Sequence, residues 1–406
     1  MNYECYKSGQ ISLWDLPLKN VYVKLKSDFR KNLINNVKNK SKLSKECNIP
    51  YHVIKGFVYR NRSISLETLK KLVLFLSPND VQTVEKNIEI LVPKTAGKGI
   101  VSPKLPFNFC SESGAILISS LLHDGGIDKN KNSSYFNLDL KIRKKVLNAA
   151  EDIFGNFNSK VHDIKGTRLR FPRIVTHILV DCLKLRYGNK VYNDSVIPEF
   201  IFSSPHKIRS AFLRQSFDDD GYVHKNGIYL VAVKDFTGIS TSRLKLIKRQ
   251  RMIKFAPSIL KIDKRMLETL GIKVSGIQIE ERNIIKNSKL EKRLVWKLSL
   301  TKENIEKFYK KIGFDLEYRK ERLNKIFSNY NEYKDKRYYP YEAESKILDI
   351  ITHAQDDYGY FTSKIIKRYT NRTLILIDIR IKQLRDKGLI KAINKVGNTF
   401  VYRINK

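Results

Sequence analysis

Acidic residues are scarce in this chain. Asp and Glu number 41 against 78 Lys and Arg, a formal charge of +37 over 406 residues. Cysteine is scarcer still. Cys5, Cys47, Cys110 and Cys182 are scattered and form no CxxC pair, which argues against both a structural zinc site and a disulfide framework. No apolar run approaches the roughly 20 residues that a spanning helix needs, and the opening MNYECYKSGQ lacks a signal-peptide core. A soluble intracellular protein is expected, cytoplasmic and nucleoid-associated if prokaryotic, with no membrane partner. The seven histidines show no metal-ligand spacing. What remains is a surplus of cations in search of a polyanion, with nucleic acid the first reading.

Folded cores are nevertheless within reach, because 42% of residues are hydrophobic and 11% aromatic. At this length two to four units are expected. SKLSKECNIPYHVIKGFVYRNR (Ser41–Arg62) reads as helix, turn at Asn48-Ile49-Pro50, and second helix. Leu43, Ile49, Val53, Ile54 and Phe57 would join the pair, leaving Tyr51, His52, Lys55, Tyr59, Arg60 and Arg62 for a DNA groove. An ordinary helical hairpin is the bland alternative. Pro and Gly density over Ile88–Pro106 marks a linker or an irregular lead-in to a new domain.

An apolar helical run, GAILISSLLHDGGI (Gly114–Ile127), stops at Asp124-Gly125, and FLRQSFDDDGYV (Phe212–Val223) stops in the same way at Asp220-Gly221. Strand-like, helical and strand-like segments follow each stop, so the middle reads as two copies of α-β-β-α-β-β-α. The strand-like pair includes YFNLDL at 135–140 and IYLVAV at 228–233. Three aspartates at a helix C-terminus are locally unfavourable, each by roughly 0.3–1 kcal/mol. If the two helices pack side by side, Asp124 and Asp220 meet, and a divalent cation, Mg²⁺ or Mn²⁺, would relieve their repulsion. Asp-Gly is also a plain helix-stop signal. His123, beside Asp124, reads as incidental.

LISSLLHDG (Leu117–Gly125) and LRQSFDDDG (Leu213–Gly221) resemble the two motifs of the monomeric LAGLIDADG homing endonucleases. RYGNKVYNDSVIPEFI (Arg186–Ile201) is similar to the segment before the second motif, and IEKFYKKIGFDLEYRKERL (Ile305–Leu323) to the closing helix. The resemblance implies an α+β fold: a pseudo-twofold duplicated core with two saddle-shaped antiparallel sheets lying along DNA, and motif helices at the interface. It implies a metal-dependent, site-specific double-strand DNA endonuclease, with Asp124 and Asp220 as metal ligands and catalytic acids. Lys190 and Lys320 stand where basic catalytic residues are expected. Gln215 departs from the family's small glycine, which would widen or repack the helix interface.

Alternation in KGTRLRF (Lys165–Phe171) and EKRLVWKLSL (Glu291–Leu300) places Lys165, Arg168, Arg170, Lys292 and Lys297 among candidate DNA contacts. NKIFSNYNEYKDKRYYPYE reads as a connector. Beyond it, three helical segments and a hairpin resemble a winged-helix domain, which binds DNA in many cases and proteins in others. The expected division is 1–97, 98–200, 201–326 and 340–406. The chain would act as a monomer through its internal duplication. A non-cleaving regulator on the same scaffold, of the WhiA type, is the alternative function, and a general basic nucleic-acid binder a third.

Overall fold

Val21, Val23 and Leu25 are buried while Tyr22 and Lys24 are half-buried, so VYVKL forms a strand with one face in a core. In the computed structural model that strand belongs to the first of two compact units, Met1–Phe327 and Ser328–Lys406. The structure describes residues 4–35, 37, 39–76, 81–93, 98–158, 161, 166–188, 194–224, 227–235, 242, 256–286, 289–300, 304–335, 343–370, 372–396 and 399–405.

The first unit begins with α1 (Glu4–Ser8), β1 (Gln10–Ile11), β2 (Val21–Leu25), α2 (Ser27–Asn35), α3 (Lys40–Glu46), α4 (Tyr51–Arg60), β3 (Ile64–Ser65), α5 (Leu66–Leu76) and α6 (Val81–Lys86). β4 (Ile88–Pro93), β5 (Ile100–Val101), β6 (Phe107–Asn108), α7 (Glu112–Leu122), β7 (Gly126–Ile127), β8 (Ser133–Phe136), α8 (Leu140–Phe154), β9 (Asn156–Phe157), β10 (Arg168–Arg170) and α9 (Arg173–His177) follow. Then come α10 (Glu199–Ser203), α11 (His206–Asp220), β11 (Gly221–His224), β12 (Gly227–Asp235), α12 (Ser258–Thr269), β13 (Val274–Lys286), β14 (Lys289–Leu300), α13 (Ile305–Lys311) and α14 (Glu317–Asp335), whose last turns pass the boundary between the units.

Among the described residues four sheets organise this unit, of orders β3-β2-β4-β5-β9, β10-β8-β7, β11-β12-β14-β13 and β1-β6. All the pairings are antiparallel, and the fold is α+β. One apolar core runs from Ile11 to Leu323. The α3–α4 turn is set locally: Asn39 Oδ1 caps α3 by accepting from Ser41 N and Lys42 N, and Asn48 takes φ +50 before Pro50. Leu43, Ile49, Ile54 and Phe57 are buried between the helices, and Arg30 Nη1 donates to Phe57 O at 3.0 Å.

Three elements depart from the sequence reading. The strand expected at 135–140 lies at Ser133–Phe136, because Asp139 caps α8 by accepting from Lys141 N and Ile142 N. The closing helix expected over Ile305–Leu323 is broken into α13 and α14 at Gly313, which has φ +66. The expected connector continues α14 to Asp335, since no Pro or Gly interrupts Glu317–Asp335.

The second unit contains α15 (Ala343–Tyr358), α16 (Ser363–Tyr369), α17 (Leu374–Asp386) and the antiparallel pair β15 (Ile390–Val396) and β16 (Thr399–Ile404). Thr362 and Thr373 cap α16 and α17 by accepting backbone N–H groups. Its core gathers Ile351, Phe361, Ile366, Ile377, Ile381, Leu384 and Ile390. No helix among the described residues is long and apolar enough to cross a membrane.

Candidate functional site: the acid-tipped helix pair

Helices α7 and α11 pack against each other in the first unit. Their contact is lined by small or hydrogen-bonded groups: Ser119, Ser120, Gln215 and Ser216 are fully buried. Ser119 Oγ crosses the interface to donate to Phe212 O at 2.8 Å. Both chains then turn on glycine. A Cβ at Gly221 would lie 2.4 Å from Phe217 O, and one at Gly125 would lie 2.8 Å from Ser120 O and from Ser134 O. Asp124 and Asp220, the residues before these glycines, are half-buried.

The three aspartates closing α11 have three different surroundings. Asp218 turns to the start of α14, where its Oδ1 accepts from Asp315 N at 3.1 Å and Leu316 N at 3.3 Å. Lys145 Nζ stands 3.7 Å from its Oδ2. Burial raises its pKa to about 6, with the Asp315 charge adding to the rise and Lys145 and the two amides opposing it. Asp219 reaches the other way, toward the β10-β8-β7 sheet: its Oδ1 accepts from the Tyr135 hydroxyl at 2.5 Å and from Gln215 Nε2 at 3.0 Å. Burial, then the charge of Asp124, hold its carboxyl well above the usual range. The same burial, with Asp219 and Asp124, pushes the Tyr135 phenol up. Asn137 Nδ2 links the two groups, 3.2 Å from Tyr135 Oη and 3.4 Å from Asp124 Oδ2. Asp220 keeps a half-buried place at the helix end. Arg319 offsets this acidic terminus by donating from Nη1 to Phe217 O and, at 2.6 Å, to Asp218 O.

His123 is the counterpart of Asp219 on α7, since both lie two residues before the turn glycine. It reaches across to α11 and α12. Its Nδ1 lies 2.8 Å from Ser119 O, and its Nε2 lies 2.8 Å from Ser216 Oγ and 3.2 Å from Asp263 Oδ2. Ser216 Oγ donates to the other Asp263 oxygen at 2.9 Å. A carbonyl and a carboxylate only accept, so both ring nitrogens carry hydrogen and the imidazole is a cation. Burial works against that charge, but Asp263, then Asp220 and Asp219, override it and raise its pKa to about 9.

Of the residues expected at the site, Asp220 is the last residue of α11, and Asp124 lies in the turn two residues beyond the end of α7. Lys190 and Lys165 lie outside the described residues. Lys320 is exposed on the first turn of α14, where the neighbouring Arg319 is the side chain that reaches α11. Arg168 and Arg170 are exposed on β10, on either side of buried Leu169. Lys292 and Lys297 lie on β14, with side chains outside those described. Tyr51, His52, Lys55 and Arg60 are exposed along α4, and Arg62 just beyond it. Gln215 repacks the interface through Tyr135 and Asp219. Sequence reasoning missed Tyr135, Asn137, Lys145 and Asp263, and gave His123 no role. An unbalanced DDD run was the one available signal that such partners had to exist.

Among the described residues no group of three or more His, Cys, Asp or Glu forms a metal cage. Mg²⁺ is commonly held by only one or two carboxylates together with substrate phosphates and water. Among the described residues Asp219 Oδ2 and Gln215 Oε1 are buried oxygens with no hydrogen-bond partner, and Asp124 is close enough for its charge to act on Asp219. Carboxylate and amide oxygens of this kind suit Mg²⁺ or Mn²⁺.

No protein-family model matches the chain. Over 242 residues it is 24% identical to the probable translation initiation factor IF-2 of Methanocaldococcus jannaschii, covering 54% of this chain but 18% of that protein. The chain therefore spans under a fifth of this curated relative's length. Among solved structures it is similar to I-DmoI in complex with DNA and Mn, at TM-score 0.30 and 14% identity over 50% of this chain and 97% of that one. Full-length DUF199/WhiA from Thermatoga maritima gives TM-score 0.29 and 12% identity over 70% and 93%. Scores of this size carry no argument about shared fold or chemistry.

Proposed function

We propose that the protein is a site-specific, metal-dependent endonuclease of double-stranded DNA, built on a duplicated core of the LAGLIDADG type. The observation that carries this reading is the packed pair α7 and α11, which brings Asp124 within electrostatic reach of Asp219, one of the acids that close α11, in a chain of charge +37. Asp124 and Asp220 would hold Mg²⁺ or Mn²⁺, which when bound supplies charge neutralisation at a phosphodiester and a more acidic water. The chain's own groups do the rest. Tyr135, Asn137 and Gln215 fix Asp219 and Asp124, His123 and Arg319 offset the acids, and Arg168, Arg170 and the α4 face (Tyr51, His52, Lys55, Arg60, Arg62) grip phosphates. Nothing of translation initiation is carried over, because the shared stretch is so small a part of that factor.

A non-cleaving DNA-binding regulator is the second reading, favoured by one observation: the buried His123 cation already offsets Asp219 and Asp220, so the scaffold does not require a metal to stand. One experiment separates the two. The protein is incubated with a randomised duplex library and Mg²⁺ or Mn²⁺, and any cut ends are sequenced. Cleavage at a defined site, abolished in Asp124→Asn and Asp220→Asn while duplex binding persists, is the expected result. Selective binding without any strand scission moves the assignment to the regulator, and undiminished scission in both variants removes the two acids from the mechanism.

A further inference from the structure

Asn48 is the pivot of a short turn. It takes φ +50, in the left-handed region, and with Ile49 and Pro50 it separates α3 from α4. The Ser44 hydroxyl closes that turn by donating to Ile49 O at 2.6 Å. Leu43, Cys47, Ile49, Ile54 and Phe57 are buried between the helices, and Arg30 of α2 holds the Phe57 carbonyl, so α4 is fixed from two sides. Two packed helices on a turn of three or four residues are the arrangement that carries a second helix into the DNA major groove.

The outward side of α4 is not uniform. Tyr51, His52, Lys55 and Tyr59 are exposed, and at 3.6 residues per turn they fall within roughly a quarter of the helix circumference. Arg60 stands off that stripe on the last turn and Arg62 lies beyond the helix, both exposed. Tyr59, at the far end of the stripe, is already engaged: Lys40 of α3 donates to its hydroxyl at 2.7 Å and lies 4.6 Å from its ring centre. Tyr51, His52 and Lys55 occupy the N-terminal half, the part that meets base edges when such a helix docks. From Lys40 to Arg62 six Lys and Arg face one acid, Glu46, which stands on α3 at 3.8 Å from Lys42 Nζ. No acid lies on α4 itself. A polar, positive stripe of this kind matches the chemistry of DNA interfaces rather than that of an apolar protein contact.

The function proposed above lets the whole face grip phosphate, but its geometry separates two tasks. We infer that α4 is a base-reading helix: Tyr51, His52 and Lys55 enter the major groove of duplex DNA and select a block of about three or four base pairs, while Lys40, Lys42 and Lys45 on α3 and the Arg60–Arg62 end hold the flanking phosphates. Lys55 suits guanine, through its O6 and N7, and the Tyr51 ring suits a thymine methyl. This role rests on the DNA-binding half of the proposed function and needs no cleavage. It gives the chain a sequence requirement of its own, separate from anything the acid-tipped helix pair imposes.

The test uses the full chain with a randomised duplex library in EDTA, so that no metal-dependent cleavage intervenes, and sequences the bound duplexes. Wild type is compared with Tyr51→Ala/His52→Ala/Lys55→Ala and with Arg60→Ala/Arg62→Ala. All five side chains are exposed, so both variants should fold, which thermal melting checks. The triple variant should lose one contiguous block of the selected site, keep the rest, and bind the wild-type site about tenfold or more weakly. The arginine variant should keep the whole site, weaken all sequences alike, and lower the slope of log affinity against log salt by about two. A selected site unchanged in the triple variant overturns the base-reading role and leaves DNA binding standing. A uniform loss across sequences also overturns it, by assigning the stripe to phosphate alone. A wild type that binds duplex but enriches no sequence overturns it as well, and one that binds no duplex removes the DNA-binding function beneath it.

Discussion

His123 shows how one residue changes the electrostatics of the acid-tipped interface. Acids crowded at two helix ends were expected to repel one another until a metal arrived. A cation of the chain's own also stands near them: the His123 ring, its pKa raised to about 9 against the cost of burial by Asp263 and then Asp220 and Asp219, faces Ser119 O and, across the interface, Ser216 and Asp263. Breaking a buried pair by removing one partner leaves an uncompensated charge, so His123→Ala should cost about 3–5 kcal/mol, read as the drop in unfolding free energy by urea titration. Asp263→Ala should cost a comparable amount, and the double variant less than the sum, with a coupling of about 1–3 kcal/mol. Strict additivity would mean that the two groups do not act as a pair. Nothing near His123 in sequence announces this, because Asp263 is 140 residues away and histidine beside Asp-Gly has no local spacing to read. Asp124 and Asp220 were legible because glycine after an acid at a helix end is a local pattern. Their partners come from other helices and strands.

Helix α11 explains how three consecutive aspartates survive at a C-terminus whose dipole disfavours them. Asp220, the last residue of the helix, is half-buried and acts by its charge on His123. Asp218 leaves the C-terminus for the N-terminus of α14, where the dipole has the opposite sign and two backbone amides await it. Arg319, from the same helix start, returns a cation to the α11 carbonyls. The two helix ends therefore exchange charges. Asp218→Ala should destabilise by about 1–2 kcal/mol through the lost cap, with further loss because Lys145 keeps only Asp315. Thermal and urea unfolding measure this. The proposed DNA cleavage, where wild type shows it, should survive in the variant wherever the fold does, since Asp218 faces α14, and a fully folded Asp218→Ala protein that lost the wild type's cleavage would refute that division of labour. The helices of the α3–α4 pair, α7, α11 and the second unit were readable from apolar periodicity, whereas α2 and α5 were not read, and both caps of the second unit, Thr362 and Thr373, are side chains that sequence rules favour. The break at Gly313 was not read, because the apolar spacing continues across the helix stop, from Phe308 and Ile312 before it to Phe314 and Leu316 after it.

Across the whole molecule, the pairing of distant strands decides what can be removed. The Pro- and Gly-rich stretch after Ile88 carries β4 and β5, neighbours in one antiparallel sheet, and β5 in turn pairs β9, more than fifty residues on. Strand pairing across such a separation leaves no trace in local composition, so punctuation that reads as a lead-in to a new domain also serves as the turns of one sheet. β1 pairs β6, and the Tyr6 hydroxyl donates to Ile197 O at 2.9 Å. Val21, Val23, Leu25 and Leu91 lie in the same core as Leu117 and Phe212. Deleting residues 1–97 therefore strips β1 to β4 and much of a shared core, leaving β5 and β9 as exposed edges, and should abolish cooperative thermal unfolding of the remainder. Deleting 340–406 removes a unit with a core of its own, so the rest should still melt in one transition within a few degrees of the full chain, the shift that about 1 kcal/mol would produce in a domain of this size. If the 98–406 fragment instead melts cooperatively at the full chain's temperature, the amino-terminal sheet is a separable domain and its strands contribute nothing to holding α7 against α11.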